Sequence, residues 1–467
     1  MFKKVCETLF RLLLRGMRIN RFVLRPFFCY PNIRNDRKVG VTMDKKIYDT
    51  YVAILGEELI PALGCTEPIA IAYAAAKARE VLGKMPEKIV VECSGNIIKN
   101  VKGVIVPTTG DMKGIDTSAI LGSLLGGSYR KLEVLTAATP EDILKTRSLL
   151  ATNMCEVKLL EGVATLHVIV HSYCGEDSAM VEIADGHTNI IRVEKNGEVQ
   201  FSGAEKTQTG GSAVADRTLL NMRDIFEFAN TVNLDDVREV LKRQVDLNLL
   251  IAQEGLTNPY GVNVGSCLLK YYDKDDVKIM AKALPAAGSD ARMGGCVLPV
   301  VINSGSGNQG MTVSLPVVVY ARFLKVSDDM LYRALVMSNL TAIHQKTGLG
   351  KLSAYCGAVS AACGSGAGIS YLHGMNFEQI SRTITNTLGN VSGIVCDGAK
   401  PSCAAKIASA VDAAIMAHYM SEDESVFGAG EGIVTEDVEH TIRNVGRLGR
   451  DGMKSTDVEI LNMMIGK

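Results

Sequence analysis

Cys356 and Cys363 stand seven positions apart in a run of Ala, Ser and Gly, and Cys396 and Cys403 stand seven apart around the loop CDGAKPSC. Small neighbours leave room for an inorganic centre and let backbone N–H groups approach its sulfides. A lone cysteine in such surroundings reads as a small core residue, since free cysteine is among the most buried types. Three or four gathered in glycine-rich loops and helix ends point instead to a metal site, with iron or zinc as the metals that thiolates bind.

The local pattern supplies a scaffold for these thiols. A helix over Ser353–Ala362, ended by Gly364, would put Cys356 near its start and Cys363 two turns on along the same face. A second over Phe377–Leu388 stops at Gly389 and Asn390. Pro401 and Ser402 open an Ala-rich helix, Ala404 to Met420, so Cys403 falls in a first turn, where the helix dipole favours thiolate.

Another cysteine has a setting of its own. In PALGCTEP, Thr66 suits an N-cap and Pro68 a first turn of a helix running to Leu82, which leaves Cys65 just ahead of a helix N-terminus. That position predicts a thiol pKa below the roughly 8.5 of free cysteine. The plain alternative is a loop cysteine without a role. Further on, Asn303 to Gly310 (NSGSGNQG) offers Ser and Asn side chains and free N–H groups before a helix at Met311. This is an anion site suited to a carboxylate, with a tight turn as the structural alternative. Its spacing fits neither a P-loop nor a dinucleotide fingerprint.

The remaining elements must position these groups. Asp44 to Ile60 has helical periodicity. From Pro86 the texture changes to strands, KIVVECSG passing into the Gly-punctuated NIIKNVKGVIVPTTG that holds Lys99 and Lys102. Short helices follow at Asp116–Leu125 and Pro140–Ser148. Five β-runs from EVKLLEG to EVQFSG then close through turns at Asp185-Gly186 and Asn196-Gly197. His167, His171 and Cys174 differ in strand parity and lack a second ligand pair, so they read as ordinary strand residues. After Gly210 the chain is helical, at Leu219–Asn230, Leu234–Ala252 and Asp275–Ala283. The fold class is α+β: a mostly helical catalytic domain with a smaller strand-rich α/β domain inserted after the first helices. The expected division is 43–85, helices packing with the catalytic domain; 86–208, the strand-rich domain; and 209–467, the helical domain.

Composition narrows the function classes. Residues 1–42 carry ten Lys/Arg against two acidic residues, and the other 425 residues have a net charge of −9. An acidic body argues against nucleic acid as a partner. The basic stretch 1–42 lacks the long apolar core and cleavage site of a signal peptide and is expected to be a tail, or the product of an upstream start, carrying no chemistry. Twelve cysteines in a long, Ala-rich chain do not form the disulfide framework of a short secreted one, and they fit a reducing cytoplasm. No run of eighteen apolar residues occurs, so a membrane protein or carrier is not expected.

From Met43 to Lys467 the sequence resembles the oxygen-sensitive iron–sulfur L-cysteine desulfidases, which are related to the alpha portion of bacterial iron–sulfur L-serine dehydratases. The similarity rests on GCTEP (64–68), SGNIIKNVKGVIVP (94–107), NSGSGNQG (303–310) and the set Cys356, Cys396 and Cys403, the first lying forty positions before the second. It implies a [4Fe-4S] cluster held by those three cysteines with one iron left open, and β-elimination of L-cysteine to sulfide, ammonia and pyruvate. It also puts Cys65 in the active site, as base or as labile fourth ligand. Ser304, Ser306, Gly307 and Asn308 are assigned to the substrate carboxylate by the anion-site argument, with Lys99 and Lys102 as further candidates, while Cys363 is left to the core. The serine dehydratases have a separate regulatory portion and a C-terminal cysteine that caps the cluster; this sequence ends ILNMMIGK without such a cysteine, so capping of the fourth iron in that way is not expected. Rival expectations are an L-serine dehydratase using the same parts, and a non-catalytic helical protein with zinc on Cys356, Cys363, Cys396 and Cys403. The expected partner is a small amino acid, and a homodimer is the candidate assembly.

Overall fold

Asp44 accepts hydrogen bonds from the N–H groups of Lys46 and Ile47, and helix α1 (Lys45–Glu58) begins there. The computed structural model describes residues 43–203, 215–350 and 352–466, so the basic stretch 1–42 lies outside the described residues. After α1 come β1 (Pro61–Leu63), α2 (Thr66–Leu82), β2 (Lys88–Ser94), α3 (Gly95–Lys102), α4 (Ile115–Leu125) and α5 (Pro140–Leu150). The strands β3 (Cys155–Leu160), β4 (His167–Cys174), β5 (Asp177–Ala184), β6 (Ile190–Lys195) and β7 (Glu198–Ser202) complete a six-stranded sheet of order β3-β2-β4-β5-β6-β7. Only β2 and β3 run parallel; the other pairs are antiparallel. Val168, Val170, Val181 and Ile183 alternate with more exposed residues on β4 and β5, and α2 packs across those two strands with α4 beside it. His167 pairs with Glu182 and His171 faces Glu92, as ordinary strand residues do.

The second layer is helical: α6 (Met222–Thr231), α7 (Arg238–Thr257), α8 (Val264–Tyr271), α9 (Val277–Met293), the short β8 (Pro299–Val301), α10 (Gly307–Leu324), α11 (Asp328–Leu349), α12 (Gly357–Leu372), α13 (Phe377–Val391), α14 (Cys403–Glu422), α15 (Val438–Arg447) and α16 (Lys454–Ile465). The chain is α+β and mostly helical. Grouped together at 43–85 from sequence, the first two helices part company. The first sets Tyr48 and Tyr51 edge-on against Phe228 of the helical layer, whereas α2 spans the sheet. β1 pairs antiparallel with β8, so the segment leading to Cys65 is tied to the one leading to the 303–310 loop.

Four local expectations change. Residues 95–102 form a helix, not a continuation of the strand texture. α9 continues past Ala283 to Met293, and α10 begins at Gly307, four residues before Met311. Gly364 and Gly389 lie inside α12 and α13 and stop neither. At Gly364 the reason is packing. A Cβ there would come within 2.5 Å of the Ser338 carbonyl oxygen, and one at Gly368 within 2.8 Å of Val317 and 3.0 Å of the Ala334 carbonyl. Glycine lets α12 lie directly on α11, which sequence alone cannot distinguish from a C-terminal stop.

This contact yields the first prediction. Gly364→Ala should destabilise the protein by about 1–3 kcal/mol, because a fixed carbonyl cannot turn out of the way and overpacking outweighs the gain in helix propensity. A lowered urea midpoint at unchanged slope is the expected result.

Candidate active site

Two backbone segments far apart in sequence meet at an isolated antiparallel bridge between Tyr355 and Val395. Cys356 N–H donates to the Ile394 carbonyl at 2.9 Å, and Cys396 N–H to that of Ala354 at 2.6 Å. The bridge sets Cys356 and Cys396 side by side. Cys356 caps α12, and Cys403 opens α14. Between them Gly398, at φ +97°, passes so close to α3 that a Cβ would sit 2.2 Å from the Lys99 carbonyl oxygen. The three cysteines line one cavity of about 100 Å³, together with Cys65, Ser304, Ser306 and Asn308. Cys363 does not: it is fully buried behind this wall, its thiol 3.8 Å from the Ile384 carbonyl. A zinc site on all four cysteines of 356–403 is therefore not assembled.

Among the described residues, no three His, Cys, Asp or Glu side chains are grouped closely enough to hold a metal ion. The donor set nevertheless suits a larger, thiol-seeking centre, since three thiols border one cavity whose lining also includes the side-chain-free Gly357 and Gly398. The electrostatics lean the same way at one of them. Cys396 is drawn below the ordinary thiol range, chiefly by the hydrogen bond from Cys356 and, against burial, by Lys99 and Lys346. Cys356 rises in consequence. Cys403 also rises, because burial, with Cys396 beside it, outweighs a backbone hydrogen bond from Lys400 and the charges of Lys406 and Lys400, which corrects the thiolate expected there. Lys346 sits buried beside Cys356 and Cys396, and burial brings its ammonium down to about 8.

Lys99 and Lys102, expected at the substrate carboxylate, do not line the cavity. The helical turn of α3 directs both to α16: buried Lys99 makes an ion pair with Asp457, and Lys102 donates to the Met464 carbonyl. Asn96 joins Lys99 on Asp457 at 2.6 Å, while Asn100 of the same helix reaches the cavity wall. A strand-like reading of this segment hid which residue faced inward.

Cys65 is the N-cap of α2 and is 2% exposed. Its Sγ donates to Glu67 Oε2 at 2.9 Å. Burial pushes the thiol well up and the Glu67 carboxylate adds to it, outweighing Arg292 and a hydrogen bond from the Glu67 backbone N–H, so the depressed pKa expected from the helix dipole is overturned. Glu67 behaves in the opposite way. Burial raises its pKa, but His187, Cys65 and Arg292 together overcome that and hold it at about 2. Arg292, near the end of α9, is buried and donates through Nε to the Gly64 carbonyl at 2.8 Å.

The loop at 303–306 is tight. Asn303 and Ser306 exchange backbone hydrogen bonds at 3.1 Å, with Ser304 and Gly305 at positive φ. Gly307 is a point of close approach rather than a wall, because a Cβ there would meet Arg292 Nε at 2.5 Å. Asn308 Oδ1 and Gln309 Oε1 are buried without a hydrogen-bond partner. Glu67, His187, Arg292, Gln309 and Lys346 thus join the cavity without having been singled out from sequence. Glu67 stood within the GCTEP motif, and Arg292 lay beyond the helix end expected at Ala283. His187 had no signal beyond a histidine in a hairpin turn.

The chain belongs to a family of lyase-type enzymes: the serine dehydratase alpha chain family matches residues 129–462. That span includes Cys356, Cys396, Cys403, Arg292 and the 303–306 loop, and starts after Cys65 and Glu67. In particular, the chain is 56% identical to a UPF0597 protein of Lachnoclostridium phytofermentans, over 90% of this chain and 100% of the relative. It is 51% identical to one of Desulfitobacterium hafniense (90% and 98%) and 48% identical to one of Treponema denticola (91% and 100%). No helix of the described residues is long and apolar enough to cross a membrane.

Glu67 supplies a pH prediction. A carboxyl at about 2 in the folded chain and about 4.3 unfolded contributes stability that is complete above the unfolded value and lost as pH falls through the folded one. Glu67→Gln should therefore reduce the stability lost between roughly pH 5 and pH 2.5, measured as the fall of the urea midpoint.

Proposed function

We propose that this protein is an iron–sulfur L-cysteine desulfidase that converts L-cysteine to sulfide, ammonia and pyruvate by β-elimination. The observation that carries the reading is the meeting of Cys356, Cys396 and Cys403 with Cys65 and Arg292 on one cavity. Cys356, Cys396 and Cys403 would hold a [4Fe-4S] cluster. Bound there, it would supply a Lewis acid at an iron that none of the three cysteines occupies.

The chain's own groups account for the rest of the chemistry. Arg292, Ser304, Ser306 and Asn308 offer positive charge and donors to the substrate carboxylate. Cys65 takes the Cα proton as general base. Its raised pKa makes the thiolate a stronger base for a weakly acidic C–H; in the resting site the thiol keeps its proton and donates it as a hydrogen bond to the Glu67 carboxylate at 2.9 Å, so the proton must leave to solvent before that step. As the Cα–H bond breaks, its electron pair forms the Cα=Cβ bond and the Cβ–S bond breaks, sulfur leaving with the pair as sulfide. The aminoacrylate then takes up a proton at Cβ, and water hydrolyses the imine to pyruvate and ammonia. Burial of Cys65 keeps the thiolate away from competing proton donors. The setting is a cytoplasmic enzyme acting on a small molecule, with no nucleic acid partner and with a homodimer as the candidate assembly.

L-Serine is the second reading, supported by the family to which the chain belongs. Loss of hydroxide needs the same parts, but thiolate is the better leaving group. Anaerobically prepared protein should release sulfide from L-cysteine with a kcat/KM at least tenfold above that for pyruvate formation from L-serine; the reverse order would assign it to serine.

Substitution separates the roles. Cys356→Ala, Cys396→Ala and Cys403→Ala should each lose iron, brown colour and sulfide release. Cys65→Ala should keep most of the iron, measured with acid-labile sulfide, while losing activity by 10²-fold or more. Retained turnover in that variant would remove Cys65 from the mechanism.

A further inference from the structure

The six-stranded sheet sends one residue into the cavity. His187 lies in the turn between β5 and β6, and the turn is fixed on every side. Ala184 N–H donates to the Asn189 carbonyl at 3.2 Å, Asn189 N–H to that of Gly186 at 3.0 Å, and Asp185 N–H to that of Leu166 at 3.0 Å. The Asn189 side chain closes the turn onto the Ala184 carbonyl at 2.9 Å. The imidazole packs over Gly305, where a Cβ would come within 3.3 Å of Cε1. Its side chain is 9% exposed, and Nε2 is buried with no hydrogen-bond partner.

What faces that nitrogen is Glu67. Oε2 of the carboxylate is occupied by the Cys65 thiol and the Thr66 hydroxyl, at 2.9 and 3.2 Å. Oε1 lies 3.9 Å from His187 Nε2. That separation is too long for a direct hydrogen bond. A nitrogen about 2.9 Å from each acceptor would see them about 85° apart, close enough to the tetrahedral angle of about 109° for it to donate to both through slightly bent bonds. The arrangement asks for a cationic donor with at least two hydrogens, and Arg292 and Lys346 border the same cavity to meet a negative group.

From this geometry we infer that Glu67 Oε1 and His187 Nε2 form a notch for the α-ammonium group of an amino acid, so that the hairpin turn of the sheet sets the site's demand for a free amino group. The inference rests on the reading of the cavity as an amino-acid site. With the imidazole proton on Nδ1, Nε2 accepts one ammonium N–H and Glu67 another, and the carboxylate end of the ligand is left towards Arg292. Acids lacking the amino group lose both bonds, and an acylated amine, uncharged and with a single N–H, can keep at most one.

The test uses binding of molecules that have no leaving group. Anaerobically prepared, iron-loaded protein is titrated calorimetrically with L-alanine, N-acetyl-L-alanine and propionate. The unsubstituted protein should bind L-alanine at least tenfold more tightly than either of the others. His187→Ala should lose most of that preference while binding propionate unchanged, and His187→Gln, whose amide oxygen can still accept, should restore part of it. The proposal is overturned if the unsubstituted protein shows no preference for L-alanine, if His187→Ala keeps the preference, or if that variant weakens alanine and propionate equally, as a collapsed pocket would. Sulfide release from L-cysteine is measured on the same samples. A His187-dependent alanine preference without sulfide release leaves the notch standing and removes the desulfidase reading, whereas sulfide release without that preference does the opposite.

Discussion

A short bridge between residues 354–356 and 394–396 is the contact on which the site depends. Two backbone hydrogen bonds, Cys356 to Ile394 and Cys396 to Ala354, bring together thiols forty positions apart. Backbone pairing fixes their directions more tightly than side-chain packing would, because the register leaves no freedom to slide. From that point α12 runs back into the helical layer with small residues on its contact faces. The other partner crosses Gly398 over the carbonyl of Lys99 before α14 begins. Replacing glycine at this crossing would force the Cys396–Cys403 loop away from α3.

Around the bridge, buried charges are arranged in compensating groups. Lys99 has Asp457, Glu67 has Arg292 and His187 nearby, and Lys346 has the Cys356–Cys396 pair. Isolated charges at such depth would neutralise by shifting their pKa values, and Lys346 does so in part. Cys65 shows how the balance can run against a helix dipole. Its position at the start of α2 is favourable for an anion, yet full burial and an adjacent carboxylate decide the outcome. The dipole contributes a fraction of a charge, while Glu67 is a whole one within hydrogen-bond distance.

The sequence made some of this legible and concealed the rest for identifiable reasons. Thiol spacing and the surrounding glycines pointed to Cys356, Cys396 and Cys403 because those signals are local. The strand runs with Asp-Gly and Asn-Gly turns likewise mark the sheet, for Asp185, Asn196 and Gly197 take the positive φ such turns require. Gly364 misled, since the same residue serves a helix stop and a close helix crossing, and only the neighbour distinguishes them. Lys99 and Lys102 misled because their partners, Asp457 and Met464, are more than 350 positions away. Arg292 and His187 come from different layers and meet only in the folded chain. No periodicity within either segment carries that information.

The attachment of α16 has a consequence for the order in which the molecule can be completed. Its Asp457 and Met464 anchor the helix on whose backbone the Cys396–Cys403 loop rests. Until α16 docks, Lys99 lacks its Asp457 partner beneath the loop that carries the thiols. Completion of the pocket therefore waits on a contact that spans 358 positions of the chain.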